Sequence, residues 1–364
     1  MVKRKATQPA AGAGRRAKRA NTTSSPPTFF WKPKDWIIEK AISDEVTLLR
    51  SNTTHSRLVI KKVMRNSRTD NLPIEVRTLR ELPSCSRIVQ PVLFLPSDPD
   101  AFHSTALFDH YPLGDLLQWK EACFDQKNKK PVTESHIWRC FLQIGQALAF
   151  LQKAGRGVLH RDLKPHNILV TDNGTTYPSF KLHDFGVATT YQRSRARHPS
   201  RCGSFQFQPP ENPLINTKAA ETWGLGACIH FLVVGQPPIE VLGPAMVRRY
   251  RENGNQHPAS AQDYSTVAQY YSARVPRRVT PINLSKQEQR TQGIGPYAAT
   301  NRAPFNHQYS DELNDWMMKA LRLDPRRRPN GDRLVRGLEP VARRILRRMG
   351  GIAALSDLEV EISV

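Results

Sequence analysis

The chain has 364 residues, 39% of them hydrophobic, and a formal net charge of +22. That length suffices for one large or two medium cores, and no apolar run reaches the roughly eighteen residues of a membrane span. The five cysteines form no C-x-x-C pair, which argues against a disulfide or zinc framework and for a reducing compartment, and no apolar signal-peptide core stands near the start.

Residues 1–31 carry seven basic residues and no acid. Rich in Ala, Ser, Thr and Pro, this basic tail is expected to be disordered over 1–28. Its two clusters, Lys3-Arg4-Lys5 and Arg15-Arg16-Ala17-Lys18-Arg19, resemble a bipartite nuclear localisation signal, which implies importin as a partner and the nucleus, alongside the cytoplasm, as the location. The alternative is a nonspecific basic tail. The wider basic field attracts acidic or phosphorylated partners or nucleic acid, yet no zinc-finger spacing, RNA motif or aromatic stacking platform singles out nucleic acid.

Order is expected from Phe29-Phe30-Trp31 onward. Residues 46–49 and 58–60 read as strands either side of a turn, 72–82 as a helix carrying Glu75, and 88–95 and 106–108 as further strands. Past Leu113 the pattern turns helical: Ile137, Phe141, Ile144, Leu148 and Leu151 recur at steps of four and three and define one apolar face. Helices are also predicted over 223–234, 310–323 and 334–349, with a long irregular insert at 251–310 and a tail at 350–364.

Between the helices stands His160-Arg161-Asp162-Leu163-Lys164-Pro165-His166-Asn167, followed seventeen residues later by Asp184-Phe185-Gly186. The two stretches supply two carboxylates, an amide and a lysine at a spacing suited to moving a phosphoryl group from a metal-bound nucleotide. Oxygen-only ligands suit a hard cation such as Mg²⁺ or Mn²⁺.

In these motifs the sequence resembles the eukaryotic protein kinase family, Ser/Thr type, over roughly residues 36–346. The resemblance implies an α+β, two-lobed protein kinase fold at 32–349, with a small β-rich lobe at about 32–108 and a large helical lobe at about 112–349. It implies ATP as cofactor and protein hydroxyls as acceptors. Asp162 then matches the catalytic base and Lys164 the residue that offsets charge on the transferred group. Asn167 and Asp184 match the metal ligands. The run Arg57-Leu58-Val59-Ile60-Lys61-Lys62 resembles V-A-I-K and makes Lys61 the phosphate-anchoring lysine, with Glu75 its partner and Lys62 on the opposite face. Val46 and Val59 then cover the adenine, Asp109 to Tyr111 form the hinge, Leu107 stands as gatekeeper, and Asp115 touches the ribose or a basic residue of the substrate, or else caps a helix.

Gly203 to Glu211 resembles the end of an activation segment, with Ser204 near Asp162 and Lys164 and with Glu211 expected to pair with Arg328. Arg161 matches an arginine that holds a loop phosphate, for which Ser200 and then Ser194 are the candidate acceptors; an unphosphorylated, mobile loop is the alternative.

The pattern breaks at the glycine-rich loop. Counting back from Lys61, its glycines fall on Glu39, Ala41 and Asp44, whose side chains are expected to intrude and repel phosphate. Glu221 stands where the family usually has an aspartate bracing the catalytic loop. Because every group that touches the reacting phosphoryl is kept, an active Ser/Thr kinase is expected. The alternatives are a pseudokinase scaffold and a basic nuclear adaptor.

Overall fold

The computed structural model describes residues 31–54, 57–68, 71–126, 130–191, 203–211, 217–240, 275–292 and 307–363. The basic clusters of the tail, Ser194 and Ser200, and most of the 251–310 insert lie outside these residues.

The amino-terminal lobe is a five-stranded antiparallel sheet in the order β1-β2-β3-β6-β5, formed by Trp36–Ala41 (β1), Val46–Ser51 (β2), Leu58–Arg65 (β3), Leu93–Leu95 (β5) and His103–Asp109 (β6). Strand β1 is nearly all exposed, so it lacks the in/out alternation by which a strand is read from sequence. Helix α1, Ile74–Arg80, packs Glu75, Val76 and Leu79 inward. After it comes the short strand β4, Ser84–Cys85, and an extended stretch up to β5. The strand expected at 88–95 is regular only at Leu93–Leu95, because Ile88 and Val89 pair instead with Leu182 in the other lobe.

The second lobe is built on α3, Glu134–Lys153. Its expected face of Ile137, Phe141, Ile144, Leu148 and Leu151 is fully buried, but so are Trp138, Arg139, Cys140, Leu142 and Gln143. The helix is covered on nearly every side, which an amphipathic reading underestimates. Around it lie α2 (Leu116–Lys120), α4 (Lys218–Val234), α6 (Asp311–Ala320) and α7 (Gly331–Gly350). At Gly331 the start of α7 approaches α3 so closely that a Cβ would stand 2.8 Å from the Ala149 nitrogen. Only glycine fits there.

Two sequence expectations change. The 251–310 insert contains a helix, α5 (Lys286–Thr291), whose Ser285 and Glu288 form a reciprocal capping box. Residues 350–363 are not a free tail: Ala354 and Leu358 are buried, and β11 (Ile362–Ser363) pairs with β4 in the other lobe. No helix among the described residues is long and apolar enough to cross a membrane.

Candidate active site

The site forms where the two lobes meet, around a cavity of about 700 Å³, a volume in the range of small-molecule and cofactor pockets. Its floor begins after β7 (Val158–Leu159), where the chain turns sharply. Arg161 adopts φ 72°, a left-handed conformation that is strained for a side-chain-bearing residue. Glu221 of α4 holds the turn: its two oxygens accept the N–H groups of His160 at 2.8 Å and Arg161 at 2.9 Å. The longer arm of glutamate thus reaches the loop backbone, the bracing role that its position suggested. Burial pushes its carboxyl up, even though His160 and both N–H groups pull the other way.

Asp162 is buried at the end of this turn. Its Oδ1 accepts the Ser204 N–H at 2.7 Å, and its Oδ2 accepts Lys164 Nζ at 2.7 Å and Asn167 Nδ2 at 3.0 Å. Asn167 Nδ2 also donates to the Asp162 carbonyl, which leaves the amide oxygen of Asn167 as its ligand atom. Ser204 therefore reaches Asp162 through its backbone, made possible by Gly203 at φ 80°, where a Cβ would stand 2.4 Å from the Arg161 carbonyl oxygen.

The β8–β9 hairpin (Ile168–Thr171 and Ser179–Leu182) delivers Asp184, also left-handed at φ 64°. Asp184 Oδ1 accepts Lys62 Nζ at 2.8 Å. Burial alone would push this carboxyl up, but the charge and hydrogen bond of Lys62 override it and bring it down to about 2. The same ammonium donates to Glu75 Oε2 at 2.7 Å, while Glu75 Oε1 accepts the Phe185 N–H at 3.2 Å. Burial opposes the charge on Lys62, yet the two carboxylates raise its pKa above the ordinary lysine value.

The lysine of the site is therefore Lys62 and not Lys61. On β3, Ile60, Lys62 and Met64 line the cavity, whereas Lys61 turns to the other face and approaches Asp98 at 3.7 Å. The same alternation moves the roof residue from Val59, which is wholly buried away from the cavity, to Ile60. It also moves the wall residue from Leu107, which pairs with Lys61, to Phe108, which pairs with Ile60. Val46 lines the cavity as expected and stands across from Lys62.

Asp109, His110 and Tyr111 line the rim where the lobes join. Burial, then the neighbouring Asp109, pushes the Tyr111 hydroxyl up to about 12. Asp115 caps α2 in a capping box with Gln118, the helix-cap reading, and it also lines the cavity. The roof hairpin lacks glycine but leaves the cavity open. Glu39 is engaged by Arg50 at 2.6 Å on the exposed side of the sheet, and Ile42 and Glu45, not Glu39 or Asp44, face the cavity.

The segment after Gly203 is held from below. Arg328, buried, donates to Glu211 at 2.6 Å and to the carbonyls of Arg322, Ala219 and Leu323. Arg277, which sequence reasoning left unassigned, donates to the carbonyls of Phe205 at 2.9 Å and Gln208 at 2.8 Å. Burial lowers its pKa to about 10. No local pattern marks it; only the bridge between Ile239 and Arg277 brings it here.

Comparison with known proteins follows the same lines. The family described as "protein kinase domain" matches residues 43–337. The chain is 27% identical over 200 residues to the probable serine/threonine-protein kinase FMP48 of Saccharomyces cerevisiae, covering 50% of this chain and 54% of that protein. It is 27% identical over 233 residues to Aurora kinase A-A of Xenopus laevis, covering 60% and 53%. It is 30% identical over 159 residues to the probable serine/threonine-protein kinase nek2 of Dictyostelium discoideum, covering 43% and 36%. The chain thus spans about half the length of the first two relatives and less of the third. Among solved structures, the Rad53 kinase domain with SCD2 superposes with a TM-score of 0.50 at 18% identity over 83% of this chain and 87% of that one, a likeness of fold.

Proposed function

Because this chain belongs to the protein kinase domain family, we propose that it transfers the γ-phosphoryl group of ATP to serine or threonine hydroxyls of proteins. The observation that carries this reading is a pair of hydrogen-bonded groups on adjoining loops: Asp162 with Lys164 and Asn167, and Lys62 with Glu75 and Asp184 at the cavity, the two linked where the His183 N–H donates to the Asn167 carbonyl at 3.1 Å. Phosphoryl transfer asks a protein mainly to align reactants and to neutralise charge, and these are the groups such a task needs.

The donor set fits Mg²⁺. Among the described residues no cluster of three or more His, Cys, Asp or Glu forms a cage. Mg²⁺ is commonly held by one or two protein oxygens together with substrate phosphates. Asp184 and the amide oxygen of Asn167 would hold it, and it would supply positive charge to offset the negative charge of the phosphates.

Lys62 is fixed by two carboxylates and is placed to anchor phosphate oxygens as a point charge. Ile60, Val46 and Phe108 offer an apolar slot for adenine, and the backbone of 109–111 offers its polar edge. Asp162, held by donors on both oxygens, accepts the proton of the incoming hydroxyl. Lys164 stays beside that carboxylate and meets the charge of the group in flight. Lys164 together with Ser204 supports a serine/threonine acceptor. The test is label transfer from γ-³²P-ATP to Ser/Thr peptides with and without Asp162→Asn. ATP binding without any transfer by the unaltered chain would instead favour a pseudokinase.

The clusters Lys3-Arg4-Lys5 and Arg15 to Arg19 support nuclear import through importin. A fluorescent fusion lacking residues 1–31 that still concentrates in the nucleus would reject this part of the proposal.

A further inference from the structure

The segment after α7 joins the two lobes. It leaves the helix at Gly351, crosses α3 and ends as β11 on β4. Its backbone carbonyls are read one after another by buried side chains. On α3, Arg139, Gln143 and Gln146 share one face, at steps of four and three. Arg139 donates to the carbonyls of Ala354 and Ser356, both at 2.8 Å, Gln143 to that of Asp357 at 2.6 Å, and Gln146 to that of Leu358 at 2.9 Å. From the stretch after β4, the wholly buried Arg87 donates to the carbonyls of Asp357 at 2.6 Å and Glu359 at 2.7 Å, and to the Asp357 carboxylate at 3.1 Å.

The other edge of that stretch faces the active site. The Leu182 N–H donates to the Arg87 carbonyl at 2.9 Å, and the Val89 N–H donates to the Leu182 carbonyl at 3.0 Å. Leu182 stands two residues before Asp184, and the stretch follows directly on α1, which carries Glu75. Residues 84–89 are thus held between the carboxy-terminal segment on one side and the Asp184 strand on the other.

We propose that residues 352–363 are a positioning strap. By fixing residues 84–89 they set the placement of Glu75 and Asp184 around Lys62, and the strap acts through two contacts, the positioning residue Arg87 and the β11–β4 pairing. The bonds from Arg87 and Arg139 are buried and charge-assisted, a kind that is costly to leave unmade. The proposal rests on the kinase reading for its catalytic readout but not for its structural one.

Two variants test it in the full chain. Arg87→Met removes the junction but also disturbs a buried network. Removal of residues 361–364 is milder. Among the described residues it loses the β11–β4 pairing and the hydrogen bonds between Glu361 and Ser86, and Ile362 is exposed. Ala354, Leu358 and the partners of Arg87 and Arg139 all remain. The expected result for the truncation is faster amide exchange at Val76 to Arg80 and at Leu182. A kcat lowered about tenfold with an unchanged KM for peptide should accompany it, matching ~1.4 kcal/mol of lost transition-state positioning. Arg87→Met should move both readouts further in the same direction, and exchange equal to that of the unaltered chain at both places in both variants overturns the proposal, as does full kcat in both. If the unaltered chain transfers no phosphoryl group, the kinase reading fails by itself, and the exchange measurement alone decides the strap.

Discussion

Lys62 bridges Glu75 at 2.7 Å and Asp184 at 2.8 Å, while the adjacent Lys61 meets Asp98, at 3.7 Å, on the opposite face of the sheet. One ammonium ties helix α1 to the loop after β9. Lys62→Met should lower phosphoryl transfer by about 10²-fold or more, the scale seen when one preorganised charge is removed from an active site. Lys61→Met should change it by less than about threefold, because its half-buried pair with Asp98 lies away from the cavity. Steady-state kcat/KM of the two variants checks this, and a reversed order would restore Lys61 to the site.

The same pair predicts a pH signature. Asp184 is depressed from 3.8 to about 2, so its contribution to stability is present above 3.8 and is lost as the pH falls through about 2. Lys62 is raised above 10.5, so its contribution is complete below that value and is lost only at higher pH. The difference in Tm between the unaltered chain and Lys62→Met should be flat from about pH 5 to 9 and shrink below about pH 4. Calorimetry that finds the gap widening on acidification would contradict the pairing.

Arg277 holds the segment after Gly203 through the carbonyls of Phe205 and Gln208. Arg277→Ala should raise the KM for peptide roughly tenfold, a loss of positioning worth about one hydrogen bond to a charged group, and leave the KM for ATP unchanged. Arg277→Lys should fall between, because a point charge does not reproduce the guanidinium fork. Equal effects on both substrates would point to general disruption.

Arg328 lies buried against Glu211 and three carbonyls. Arg328→Ala should destabilise the chain by about 3 kcal/mol or more, since it strands a carboxylate and several acceptors together. Urea unfolding reads this directly, and a change below about 1 kcal/mol would show that the pair is not needed for folding.

Much of this was legible in the sequence because spacing survives folding within a loop. Asp162, Lys164 and Asn167 are brought together by one turn, the next hairpin carries Asp184 to a lysine of β3, and Glu211 finds Arg328 as their motifs suggested. The misses have a common origin in strand register. Two adjacent lysines differ only in the face they take, and a shift of one residue moved Lys61, Val59 and Leu107 off the cavity together. The glycine count carried the same shift, so the acid expected to intrude, Glu39, is instead neutralised by Arg50, and Glu45 faces the cavity. Arg277 and the strap were invisible because their partners are backbone carbonyls far away in the chain, which leave no mark in side-chain pattern.

The account rests on a catalytic carboxylate working beneath a roof without glycine. The most direct measurement is transfer of label from γ-³²P-ATP with Mg²⁺ to a Ser/Thr peptide library, by the full chain and by Asp162→Asn. The account predicts labelled serine or threonine with the unaltered chain and a loss of about 10³-fold in the variant, with ATP binding retained. No label from an unaltered chain that binds ATP, or equal label from both, would contradict it.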